Sequence, residues 1–233
     1  ISARVHGVFH PRSKAYGRVI KKVDILELAV ATAHHYGLKL YGWMRFNNYT
    51  SNVQSEFFRN HPEFHEAQES GTPQAKLCLA HEAVRRHKID ILIEAAAYGL
   101  DGLCLGFLRH PPILHYAPIL VEGYTKTYGE PPPSDEASKD PHFIQSLPIM
   151  DETHQQWYRY RAQFMTMFGR ELKAALCEKG LEHLAIAIWV RPNHCLFDGI
   201  DLDTWLDDGL CDEVVADDYV QPEVCRVGPE WKQ

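Results

Sequence analysis

With 233 residues, 45% of them apolar and 24% charged, the chain has enough apolar side chains for one globular domain with a sizeable core, which excludes disordered and fibrous classes. A formal net charge of −7, with the basic residues scattered, offers no field for a polyanion and argues against nucleic acid as a partner. No apolar run approaches the roughly 20 residues that cross a bilayer and no signal-like segment opens the chain, so no membrane partner is expected.

The first strand candidate is Val5 to Phe9, followed by a loop with His10, Pro11, Arg12 and Gly17. Asp24 then opens a helix whose Leu26, Ala29, Val30 and Ala33 recur at helical spacing, and Gly37 ends it. Leu38 to Phe46 reads as a strand. From Asn47 to Lys76 the chain is polar and punctuated by Gly71 and Pro73, too long for an ordinary connection, and insertions of that size are usually functional. A second helix fills Glu82 to Tyr98, Gly99 closes it, and Gly102 to Leu108 is the next strand.

Residues 112–154 are proline-rich and read as a loop excursion within which Ala117 to Tyr128 is a helix candidate. Gln155 to Glu178 is a long helix ended by Gly180. Leu184 to Val190 (LAIAIWV) is apolar throughout, as a strand buried on both faces would be. The unit recurs as Leu202 to Asp208, Gly209, and Cys211 to Ala216. Helix alternating with short apolar strand predicts a parallel sheet with crossover helices. The chain lacks a GxGxxG or GxxxxGK[ST] word after any strand, which weakens a nucleotide-binding doubly wound sheet and favours the (β/α)8 barrel of TIM type. The expected organisation is a single α/β barrel-like domain over 1–233, complete or partial, with insertions at about 47–76 and 112–154.

The six cysteines, Cys78, Cys104, Cys177, Cys195, Cys211 and Cys225, show no CxxC spacing and read as buried free thiols, with a Cys195–Cys225 disulfide as the alternative. The 14 histidines show no metal-ligand spacing: His61 and His65 are four apart without an HExxH arrangement, and His34 and His35 fall in a helix. Neither metal nor other cofactor is expected. A GxSxG elbow is also missing, which removes support for acyl transfer.

Chemistry in a barrel belongs at the C-terminal strand ends. Arg109 and His110 follow the Gly102–Leu108 strand, where a guanidinium can fork onto a carboxylate or sugar hydroxyls and an imidazole can act as acid or base. Trp43, Arg45, Asn47 and Asn48 combine an aromatic platform, a cation and two amides at the preceding strand end, the mixture that binds sugars; core packing is the alternative for Trp43. Arg191 and Asn193 repeat the pattern after LAIAIWV. Glycoside hydrolysis needs two carboxyl groups, and Asp217 and Asp218, directly after the last strand, are the best placed; capping the next turn is their alternative role.

The stretch AHEAVRRHKIDILIEAAAYGLDGLCLGFLRHPP resembles the bacterial glycosyl hydrolase-like family 10 barrels, in which "HPEVR" leads to "YDVDGIELDFMRHP". ILELAVATAHHYGLKLYGWMRFNN and GIDLDTWLDDGLCDEVVADDY resemble neighbouring units of the same family in the same order, so the likeness spans roughly residues 24–220. The resemblance implies a TIM-type barrel, a polysaccharide or oligosaccharide substrate and an exported protein; the compartment and the oligomeric state stay open. The family's acid on the central strand aligns with Gly106, which cannot transfer a proton, while Asp101 matches the turn before that strand and is expected to be structural. The leading expectation is therefore a glycoside hydrolase-like enzyme. A non-catalytic carbohydrate-binding or scaffold protein is the alternative, and an isomerase or lyase using His110 is a third.

Overall fold

The computed structural model describes residues 23–46, 55–107, 112–134 and 151–216. Helix α1 (Ile25–His35) starts where the Asp24 carboxylate accepts from the Leu26 and Glu27 amides, satisfying two of the donors a helix start leaves open. Strand β1 (Tyr41–Arg45) follows; it is shorter than the expected Leu38–Phe46, since Leu38 is 62% exposed and joins no ladder.

The described part of the 47–76 insertion is built, not loose. It carries α2 (Glu56–Asn60), a 3-10 turn (Pro62–Phe64) and an antiparallel hairpin of β2 (His65–Ala67) and β3 (Pro73–Leu77). Gly71 takes φ 79°, the left-handed turn conformation a side chain would oppose, and its amide donates to Gln68 O. Helix α3 (Glu82–Ala96) leads to β4 (Gly102–Gly106), and α4 (Pro118–Tyr128) lies in the proline-rich excursion. The long α5 (Glu152–Glu178) begins three residues before the expected Gln155, because Asp151 accepts from the His154 amide at 2.9 Å. Strand β5 (Ala185–Val190), the short α6 (Cys195–Asp198), α7 (Leu202–Asp207) and β6 (Glu213–Ala216) complete the order. Val5–Phe9 lies outside the described residues.

The main sheet has four strands in the order β1-β4-β5-β6, every neighbouring pair parallel. Spatial order follows chain order without a reversal, and the crossover helices α3, α5 and α7 share one face. Strand alternation sends Met44, Leu103, Leu105, Ile186 and Ile188 to that face, the last four all at most 1% exposed. Phe46 and Phe107, one step past β1 and β4, meet at 4.9 Å. They continue to Phe168 of α5 at 5.1 Å and Trp205 of α7 at 5.8 Å. Each such fully buried side chain contributes about 1.5–3 kcal/mol, which makes this layer the main source of stability. Arg85 of α3 ties it to the segment that follows the insertion, donating to Leu79 O, Ala80 O and both Glu171 oxygens of α5.

The other face receives Tyr41, Trp43 and Arg45 from β1, Gly102, Cys104 and Gly106 from β4, Ala185, Ala187 and Trp189 from β5, and Glu213 and Val215 from β6. LAIAIWV is thus fully buried on one face only, since Ala185 and Trp189 stay partly exposed. Among the described residues no helix is long and apolar enough to cross a membrane.

Candidate functional site

The face away from the helices is concave. The Tyr41 hydroxyl donates to Glu213 Oε1 at 2.7 Å, although β4 and β5 lie between their strands. In a flat sheet β1 and β6 would stand roughly 14 Å apart, the limit of a tyrosine and a glutamate stretched toward each other, so the sheet curls toward them. The bond to the carboxylate also raises the Tyr41 phenol above its usual pKa.

The central strand β4 makes this crossing feasible by having almost no side chains on that face. A Cβ on Gly102 would lie 2.4 Å from the Tyr41 ring, and one on Gly106 would lie 2.5 Å from Trp43 Nε1 and 3.1 Å from its Cε2. Two aromatic side chains of β1 therefore lean across the glycines of β4. Trp43 reaches Trp189 of β5 with centroids 5.8 Å apart, yet remains 51% exposed. Core packing of Trp43 is thereby removed. Half-buried Arg45, paired in register with Gly106, stands at the C-terminal end of the same row.

Not every cation expected here faces a ligand. Arg191 is 2% exposed, and its guanidinium grips the Asp198 carboxylate of α6 through Nε and Nη2. That buried ion pair holds the connection after β5 instead of a substrate. Asn193 falls in the 3-10 turn Pro192–His194. Asn47, Asn48, Arg109, His110, Asp217 and Asp218 lie outside the described residues. Asp101 has the structural role expected of it: its carboxylate accepts from the Leu40 amide at 2.7 Å and contacts His34 Nε2 at 3.0 Å, which lowers its pKa.

A second group of polar side chains was not singled out by the sequence. Glu66 of β2, Lys76 of β3, Cys78, His115 and Arg161 of α5 converge in the layer of connections beside the C-terminal strand ends. Glu66, Cys78, His115 and Arg161 are all 0% exposed. Glu66 Oε2 accepts from the His115 amide at 3.0 Å, and Lys76 Nζ is 2.7 Å from His115 Nε2 and 3.4 Å from Pro112 O. Arg161 donates to Leu114 O and Phe197 O, and the rings of Trp157 and Tyr158 lie 5.3 and 5.0 Å from it.

Burial sets the protonation states of this group. It raises the Glu66 carboxyl, against the Cys78 thiol and the His115 amide, and it raises the Cys78 thiol well above its usual value. It lowers Lys76 to about 8 and, together with the charges of Lys76 and Arg161, holds His115 well below its usual value. His115 is thus neutral, with Nε2 facing the Lys76 amine. One clue was available in the sequence: Lys76 sits between Ala75 and the apolar run Leu77–Ala80, where an exposed lysine is out of place.

Cys195 is a free buried thiol that donates to Arg191 O at 3.2 Å, pushed up to about 12 by burial; Cys225 lies outside the described residues. Among the described residues no group of three or more His, Cys, Asp or Glu is placed to hold a metal ion. A groove between α3 and α5, lined by Glu82, Arg86, Asp90 and Glu178, lies on the helical side, away from the concave face.

These elements define a mixed α/β protein built on a parallel sheet with an aromatic-lined concave face. No protein-family model matches the chain, and no curated protein matches it.

Proposed function

We propose that this protein binds carbohydrate on the concave face of a (β/α)8-type barrel or of an arc of one. In-order parallel strands with all crossover helices on one side are how such a barrel is wound, whereas a doubly wound sheet reverses its order at a switch point. The face carrying Trp43 and Trp189 then becomes the lumen. The observation that carries the functional reading is Trp43 itself, a tryptophan half exposed beside a second tryptophan and an arginine in register with Gly106. An indole offers a sugar ring an apolar surface for its C–H groups while a guanidinium serves its hydroxyls. The resemblance to the glycosyl hydrolase-like family 10 barrels points to the same substrate class.

Hydrolysis asks for more. Among the described residues the concave face carries one carboxylate, Glu213, and it is engaged by Tyr41. Trp43 also occupies the space an acid at position 106 would need. Binding is therefore the better supported activity, and a glycosidase would depend on Asp217 or Asp218. Titration of tryptophan fluorescence with neutral and acidic oligosaccharides tests the reading. Saturable quenching that is weakened at least about tenfold in Trp43→Ala is expected, and no response to any oligosaccharide would refute it. A mass-spectrometric product screen with Asp217→Asn and Asp218→Asn decides whether cleavage accompanies binding.

A further inference from the structure

The described part of the 47–76 insertion places an amine where solvent cannot fully reach it. Lys76 is half-buried, and its Nζ is turned inward to a neutral imidazole at 2.7 Å and to Pro112 O. Behind His115 stands Arg161, completely buried, and on the other side Glu66, completely buried as well. A lysine stem leading outward and a nitrogen held by an acceptor is the arrangement that keeps an amine both fixed and poorly solvated, and poor solvation disfavours the ammonium.

We propose that Lys76 is a nucleophilic amine that condenses with small aldehydes, held in place by His115 and restrained by Glu66. The ammonium first releases one proton to solvent. The amine then keeps an N–H donated to His115 Nε2, and its lone pair attacks the carbonyl carbon. The resulting carbinolamine loses water to give an imine, so one water leaves for each aldehyde bound and no oxidant or reductant is consumed. The lysine keeps its reactive form at lower pH than an ordinary one: with a pKa lowered from 10.5 to about 8, the free-amine fraction at neutral pH is roughly 300-fold higher. His115 is a positioning residue. Glu66 acts against the reaction, because its negative charge favours the ammonium.

Glycolaldehyde with cyanoborohydride, followed by peptide mass spectrometry on the intact folded chain between pH 6 and 10, tests this without any oligosaccharide, so the result stands apart from the sugar-binding proposal. At pH 7.5 Lys76 is expected to be labelled about tenfold faster than exposed Lys126 and Lys179, with half-maximal rate near pH 8. Glu66→Gln keeps an oxygen to accept from the His115 amide and removes the charge, so it moves the half-maximal pH downward. A Lys76 amine whose charge is not coupled to Glu66 would leave that midpoint in place. Labelling of Lys76 no faster than Lys126 at pH 7.5, or labelling that appears only in urea, overturns the proposal, as does an upward or absent shift in Glu66→Gln.

Discussion

Replacing Gly106 with alanine adds one methyl group to the centre of the concave face. That carbon would sit 2.5 Å from Trp43 Nε1, 3.1 Å from Cε2 and 3.3 Å from Cζ2, distances at which the indole has to leave. Overpacking of this kind typically costs about 1–3 kcal/mol. Because Trp43 is already 51% exposed it can swing outward, which keeps the cost at the lower end. Alanine in a strand also regains about 0.5–1 kcal/mol of the chain entropy that glycine loses on folding. The net loss is at most about 0.5 kcal/mol, or a Tm lower by no more than about 2 °C for a chain of this size. The larger effect is local: the indole loses its contact with Trp189, which near-ultraviolet circular dichroism reads as a fall in the coupled tryptophan signal. In a Trp43→Ala background the same substitution meets no indole and is neutral or stabilising, giving a double-mutant coupling of about 1 kcal/mol. A Gly106→Ala protein with a raised Tm and an unchanged tryptophan spectrum would refute the packing of Trp43 over β4.

Three further outcomes follow from the buried groups. Either Arg191→Met or Asp198→Asn alone strands a buried partner and lowers stability by about 3–5 kcal/mol in denaturant titration, whereas Arg191→Met with Asp198→Leu recovers much of the loss; equal losses in single and double variants would contradict this. His115 has a depressed pKa in the folded chain, so the unfolded state takes up more protons: its contribution is fully present above about 6.5 and is lost as pH falls below that value. Wild type should accordingly lose more stability than His115→Gln between pH 7 and 5, and parallel curves would show that His115 does not titrate differently on folding. With an aromatic disulfide reagent at pH 8, exposed Cys177 reacts before Cys78 and Cys195, which need unfolding; prompt reaction at Cys195 would be inconsistent with its burial.

The repeated helix, glycine and strand units were legible because they depend on local pattern. Gly37, Gly99, Gly180 and Gly209 all follow helices and all take positive φ, and the strands after them pair in parallel as expected. The hairpin in the insertion was not legible, since Glu66 and Lys76 point inward and erase the apolar alternation that marks a strand. Trp43 and Arg191 show the same limit from opposite sides. Residue type suggested a choice between core and ligand, but the glycines of β4 left Trp43 in the open while Asp198, seven residues along, drew Arg191 inside. Convergence of Glu66, Lys76 and His115 joins positions up to 49 residues apart, which no window of sequence contains.

The bond between Tyr41 and Glu213 ties the two edges of the concave face together. It spans from the first to the last strand of the sheet, from Tyr41, in register with Gly102, to Glu213, in register with Ala187. Among the described residues it acts as a tie-bar that draws the two outer strands toward each other across the face carrying Trp43.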